Sequence, residues 1–331
     1  MKDPRYVIVA GGALVQFTVI GFLFAFSIFF AEIEKELGWS RTLISLGASI
    51  STLVMGTLAI YGGRLSDRLG PRIVLAATGL VFALGVALMS RMQAPWQYLV
   101  LFGFFVGIGL STHDVVTLST VARWFDKRRG IMTGVVKTGT AAGQVVLPPI
   151  AALLIAWVGW RAGMLTISVC SAVLLLVAAA MLRHPSETER SEVEAAPSAG
   201  MSYAEARQTR TFWTLCAIQF LFFPTLMTVP FHLAVHGQDL GMKPENAALL
   251  LSVLGGASVA GRLLIGAVAD RIGGRNAYAL ALGGLMTSLG LYAVTTAPGA
   301  LTGITALYGF SHGALFVVVS PTVARRFRMA A

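Results

Sequence analysis

The sequence predicts an all-α integral membrane protein built as two tandem helical bundles. Three observations predict it: an apolar composition, ten apolar segments of spanning length, and a loop sequence that occurs twice. The 331 residues are 56% hydrophobic and only 12% charged, with a mean hydropathy of +0.76. A soluble domain carries roughly 25% charged residues, so the apolar surplus has to face lipid. The formal net charge of +10 comes from 25 Lys and Arg against 15 Asp and Glu. Those basic residues sit in short loops between apolar segments, where they act as orientation signals, and nucleic-acid binding is not predicted.

A helix crosses the hydrocarbon core in roughly 20 residues. In chain order the segments read 6–30, 42–62, 73–90, 97–121, 131–157, 161–182, 210–235, 247–269, 276–296 and 299–323. The first is too long for a signal-peptide core and has no A-x-A cleavage pattern, so it reads as a retained helix. Cys170 and Cys216 both fall inside apolar segments, with neither disulfide nor metal spacing. Residues 183–209 are polar, mixed in charge and rich in Ser, Glu and Ala. They read as a linker between an N-terminal six-helix bundle (1–182) and a C-terminal bundle (210–331). Basic charge gathers at Arg64–Arg72, Arg123–Arg129, Arg271–Arg275 and Arg325–Arg328, whereas Glu32–Arg41 and Gly237–Asn246 are nearly neutral. Positive loops stay inside, which places the N-terminus and linker on the cytoplasmic side of a cell inner membrane.

The chain repeats itself. Gly63-Arg-Leu-Ser-Asp67-Arg68-Leu-Gly70-Pro-Arg72 returns as Gly266-Ala-Val-Ala-Asp270-Arg271-Ile-Gly273-Gly-Arg275, 203 residues later. Val121-Ala-Arg123-Trp-Phe125 returns as Val323-Ala-Arg325-Arg-Phe327, 202 residues later. Two landmarks at nearly one offset indicate tandem halves, a common transporter plan. The first half runs on past Phe125 for two more spans, while the second ends four residues after Phe327. By symmetry the chain carries about ten of an expected twelve helices, its C-terminal bundle truncated after helix 10.

The decamer at 63–72 resembles the G-x-L-x-D-R-x-G-x-R loop between helices 2 and 3 of the major facilitator superfamily, and its degenerate copy lies between helices 8 and 9 as in that family. Gly38-Trp39-Ser40-Arg41, Ala122-Arg123-Trp124-Phe125 with Arg128-Arg129-Gly130, Pro148-Pro149, Gly159-Trp160-Arg161 and Gly261-Arg262 resemble one branch, the monocarboxylate transporters and oxalate–formate antiporters. The resemblance implies a fold of two pseudo-symmetric bundles that rock around a central substrate. It also implies that Gly63, Asp67, Arg68, Gly70 and Arg72, with Gly266, Asp270, Arg271, Gly273 and Arg275, form cytoplasmic latches. A carboxylate there accepts from the N-terminus of a neighbouring helix: Asp270 near Gly130, and Asp67 on a helix 11 that this chain lacks.

Ionisable residues inside spans mark a pathway or a buried pair. His113 and Asp114, Lys137, and Arg262 qualify. At 1.5 Å per residue, Asp114, Lys137 and Arg262 each lie about 9–12 Å from the cytoplasmic helix ends, in one layer where transporters of this kind hold substrate. Arg262 is the leading candidate, because a guanidinium presents a planar fork that fits a carboxylate; the resembled branch uses the arginine at this position for that purpose. Lys137 reads as a second cationic contact or as a partner of Asp114. His113 beside Asp114 raises proton coupling, although the first span lacks the lysine that the branch uses for it. Tyr308, Ser311 and His312 fall near the midplane and read equally as cavity lining or helix packing. His232 and His236 read as solvated interfacial residues.

These readings converge on a secondary active transporter that moves a small mono- or dicarboxylate by alternating access, with a proton or counter-anion as co-substrate. Two alternatives stand beside it: an exporter of hydrophobic or drug-like compounds, and a non-transporting sensor or scaffold. No nucleophile elbow, metal cluster or phosphate loop occurs in the sequence, so neither an enzyme nor a cofactor is expected.

Overall fold

A computed structural model describes residues 4–125, 129–186, 189 and 203–327. Among them nine helical runs are long and apolar enough to cross a membrane. One of these, Ile131–Met181, has 51 residues, about 75 Å of helix and more than twice a bilayer core. It holds two spans. The helix breaks at Gly159, whose φ of 78° and ψ of 164° lie where glycine is favoured, and Gly163 comes back against Leu154. The spans are therefore α1 (Pro4–Leu37), α2 (Arg41–Leu69), α3 (Pro71–Met89), α4 (Pro95–Trp124), α5 (129–158), α6 (160–181), α7 (Arg210–Asp239), α8 (Pro244–Ile272), α9 (Gly274–Val294) and α10 (Pro298–Phe327). They fall on the ten segments read from hydropathy, most with longer ends, while α3, α6 and α9 are shifted by one or two residues toward the N-terminus.

The chain divides into two compact units, Met1–Val193 and Glu194–Ala331. In the first, α1 packs along α5, α2 against α4, and α3 against α6. Gly143 of α5 meets Gly21 of α1 so closely that a Cβ on either would strike the other's backbone. Small residues permit that approach, which in lipid replaces the hydrophobic drive between helices. Ser168 of α6 donates to the Ala83 carbonyl of α3 at 2.7 Å. The core between these pairs is aromatic, with Phe22 edge-on to Phe82 at 5.2 Å and Phe26 at 4.4 Å from Phe102.

In the second unit α10 packs on both α8 and α9. Gly261 lies against the Phe310 backbone and Gly313 against the Ser258 backbone, so α8 and α10 touch main chain to main chain around Arg262. The duplicated loop adopts one conformation twice. Gly70 turns α2 into α3 at φ 85°, ψ 154°, and Gly273 turns α8 into α9 at φ 83°, ψ 150°. A side chain at either place would be strained, which explains why both copies keep the glycine.

Candidate functional site

The first unit's ionisable cluster is built around a fault in α4. The helix widens to a π-turn over Leu101–Val106, resumes over Gly107–His113, and loses its ladder at Asp114 before continuing as Val115–Trp124. Such irregular turns inside helices often sit at functional sites. At the fault the His113 carbonyl accepts from Gln16 Nε2 at 3.1 Å and from the Thr117 hydroxyl, so side chains satisfy an acceptor there. The Asp114 carboxylate lies between α1 and α5: Gln16 Nε2 donates to its Oδ1 at 2.7 Å and Lys137 Nζ at 2.5 Å. His113 Nε2 is 3.6 Å from the same oxygen. Thr140 closes the set by donating to Gln16 Oε1 at 3.0 Å. The Lys137 side chain is 4% exposed and that of Asp114 38%, so the cation is enclosed while the carboxylate keeps an open edge. A buried ammonium needs such a partner, because desolvation alone would cost several kcal/mol.

The second unit's cluster has a different lining. Arg262 is 2% exposed, and its guanidinium carbon sits 5.3 Å from the centre of the Phe316 ring, a cation–π distance. His312 meets the same ring edge-on at 5.1 Å and stacks on Tyr308 at 5.6 Å. Its Nδ1 is 3.4 Å from Ser258 Oγ, and Ser258 lies one turn before Arg262 on the same face of α8. The Tyr308 hydroxyl donates to the Thr225 carbonyl of α7 at 2.7 Å. The six candidate side chains thus form two groups, three in each unit. His236 departs from its expected solvated setting: its Nε2 is buried and its ring lies edge-on to Tyr292 at 6.4 Å, because the end of α7 brings it against α9.

The loop motif of the first unit is fastened within that unit. Arg123 Nη2 donates to Asp67 at 2.5 Å, and its Nη1 is 3.2 Å from His184 Nδ1. His184 Nε2 lies 3.1 Å from the Ser66 carbonyl, so the imidazole donates through Nε2 and accepts through Nδ1. Trp124 Nε1 donates to the Arg183 carbonyl at 2.9 Å, and the Arg183 guanidinium covers the Trp124 ring at 4.7 Å. The same guanidinium forks onto Glu189 at 2.7 and 2.8 Å. The hydrogen bonds from Arg183 and from the Ser186 backbone hold the Glu189 carboxyl down at about 2, and the bond to Glu189 raises the Arg183 group. Arg72 donates to the Ala180 carbonyl, while Arg68, Arg271 and Arg275 are exposed. The side chains of Asp270 and of Arg325, the repeat counterpart of Arg123, lie outside the described residues, and so does the expected Asp270–Gly130 contact.

At the opposite end of the unit, Glu36 of α1 accepts from Trp160 Nε1 at 2.5 Å and from Arg161 at 2.9 Å. Arg161 also donates to the carbonyls of Ser90 and Met92, tying α1, the α3–α4 turn and α6 together. Sequence reasoning missed Gln16 and the Asp67–Arg123 pair. The signal for the pair was present, since both motifs recur at almost one offset.

Comparison with known proteins decides what this architecture is. Residues 12–331 match the Major Facilitator Superfamily. The chain belongs to that superfamily. Monocarboxylate transporter 13 of Bos taurus is 30% identical over 300 residues, covering 90% of this chain and 69% of that protein. The agnestins efflux protein AgnL12 of Paecilomyces divaricatus is 26% identical over 332 residues, 97% of this chain and 74% of the relative. Among solved structures, the proton:xylose symporter XylE bound to 6-bromo-6-deoxy-D-glucose shares the fold, with a TM-score of 0.66 at 15% identity over 97% of this chain and 80% of that one. The chain is a multi-pass membrane protein of the major facilitator transporter family.

Proposed function

We propose that this transporter carries a small organic anion, a mono- or dicarboxylate, with Arg262 as the carboxylate contact. The observation that carries the reading is the Arg262 guanidinium, 2% exposed against the Phe316 ring in a chain whose relatives include a monocarboxylate transporter. A guanidinium presents a planar N–H fork that a carboxylate can bind two-pronged. The bundles 1–182 and 210–331, joined by the linker 183–209, rock about that anion, with the N-terminus, linker and Gly-Asp-Arg loops on the cytoplasmic side of the inner membrane. Lys137 serves a second anionic group or the coupling step. The Asp114 carboxylate holds Lys137 at 2.5 Å, and a change in its charge would loosen that ion pair, which gives proton coupling or anion exchange a physical route.

Arg262→Lys should reduce carboxylate uptake into proteoliposomes by about 30-fold or more, the loss of a charge-assisted forked contact, with expression unchanged. Normal uptake by that variant would sink the reading. A second reading, export of hydrophobic metabolites, draws on the likeness to an efflux protein and on the aromatic lining from Phe222, Tyr308 and Phe316. It predicts transport of uncharged aromatic compounds that persists in Arg262→Lys.

A further inference from the structure

The two units differ at the end of each bundle away from its Gly-Asp-Arg loop. The 203-residue offset of the repeat pairs Gly38 with Gly241, and both turn the chain into the next helix at positive φ, 68° and 87°. Beyond that shared turn the side chains diverge. Trp39, Trp96 and Leu99 of the first unit correspond to Met242, Gly299 and Thr302 of the second. In the first unit Trp39 is 8% exposed and packs on Tyr98, with ring centroids 6.1 Å apart. In the second, a cavity of about 580 Å³ lies between the α7–α8 turn and the start of α10, lined by Met242, Lys243, Leu249, Val253, Gly299 and Thr302. A Cβ on Gly299 would meet nothing within 4 Å. Ligand pockets run from roughly 300 to 1,000 Å³, so the bulk lost at these positions leaves room for a molecule.

The lining changes character along α8. Lys243 is exposed at the N-cap, where it makes no side-chain capping bond. The apolar span begins at Leu249, itself 58% exposed, and that of α10 begins at Pro298. The cavity therefore straddles the level at which the polar turn gives way to hydrocarbon, the level of lipid headgroups. Gly256 lies one turn beyond Val253, and Gly303 one turn beyond Gly299; a Cβ on either would also meet nothing within 4 Å. Small residues thus extend the cavity toward the hydrocarbon.

We propose that this cavity is a phospholipid site, with the headgroup phosphate at Lys243 and an acyl chain laid over Leu249 and Val253. The ammonium supplies the charge. The first N–H groups of α10 have no acceptor in their own helix and favour an anion. The apolar wall suits a hydrocarbon chain and offers a free polar solute little. An anionic headgroup is preferred to a zwitterionic one, whose own ammonium competes with Lys243.

The test uses the purified chain in detergent, mixed with phosphatidylglycerol, with phosphatidylcholine of the same acyl chains, or with glycerol 3-phosphate. Binding is read by native mass spectrometry. The first phosphatidylglycerol should bind about fivefold more tightly than the first phosphatidylcholine, the worth of one lysine beside an anionic surface. Glycerol 3-phosphate, which lacks the tails, should not be retained. Gly299→Trp, which restores the first unit's residue, should abolish the tight binding without lowering the unfolding midpoint. Lys243→Ala should bring phosphatidylglycerol to the phosphatidylcholine level and leave phosphatidylcholine unchanged. Equal binding of the two lipids by the unsubstituted chain, or tight phosphatidylglycerol binding that survives either variant, overturns the proposal. Glycerol 3-phosphate binding as tightly as the lipid overturns it too, by making the cavity a site for a soluble anion. Should Gly299→Trp not fold, Met242→Trp takes its place, and Lys243→Ala, which alters an exposed side chain, decides alone if both fail.

Discussion

Lys137 and Arg262 are both cations buried in spanning helices, and the two units hold them by different means. The first unit surrounds Lys137 with polar groups: a carboxylate at 2.5 Å, which an amide from α1 and a histidine also face. The second sets Arg262 among rings, with Phe316 at 5.3 Å and His312 against that same ring. An ammonium is a compact, strongly hydrated charge that needs replacement ligands, whereas a guanidinium is planar and weakly hydrated and can rest on a π face. The difference separates two tasks. A charge caged by a carboxylate changes its availability when the carboxylate changes its own charge, while a charge held on a ring keeps its fork at one orientation.

The largest expected effect tests the cage. Asp114→Ala removes the carboxylate that faces the enclosed Lys137 ammonium and should cost about 3–5 kcal/mol of stability, read from unfolding in detergent, whereas Lys137→Ala leaves a carboxylate with an open edge and should cost less. The double substitution should cost less than either single one, and additive losses would dissolve the pair as a unit. Gln16→Leu should cost about 1–3 kcal/mol, because both the Asp114 carboxylate and the His113 carbonyl lose a donor. The ring under Arg262 should matter less for stability. Phe316→Leu removes a cation–π contact of about 0.5–2 kcal/mol, and a loss as large as that of Asp114→Ala would erase the contrast between the units. The smallest effect concerns Glu189, whose carboxyl is lowered from 4.5 to about 2. A lowered group stabilises the folded state above its ordinary value, so the clasp with Arg183 is fully present above about pH 5 and loosens as pH falls from 4.5 toward 2. The side-chain carboxyl resonance of Glu189 should titrate in the lower part of that window by NMR, and Arg183→Gln should return its midpoint toward the ordinary carboxylate value.

Ten spans were legible because lipid leaves backbone groups no partners but their own helix, so each crossing must be a long apolar run. The duplication of the Gly-Asp-Arg loop was legible too, although the positive φ of Gly70 and Gly273 came only with the structure. Asp114 and Lys137 could be paired from depth alone, as neighbours in successive helices. The fault in α4 could not be read: Gly103 in Leu101–Val106 is a residue type common in regular spanning helices and does not mark a π-turn. Nor could the aromatic setting of Arg262. It depends on how α8 and α10 are rotated about their axes, and Gly261 and Gly313 set that rotation by letting the backbones touch. Gln16 was overlooked because an uncharged amide carries no obvious penalty in an apolar run, although here it bridges three polar groups.

The residues after α6 look like the start of a tether, yet Arg183 and His184 are bound to Trp124, Arg123 and Ser66, and Glu189 is bound back onto Arg183. Mechanically Arg183, His184 and Glu189 are part of the first bundle. A split of the chain for co-expression, or an inserted tag, belongs after Glu189. A cut placed just beyond Met181, where the helix ends, would strip the α2–α3 loop and the foot of α4 of their common brace.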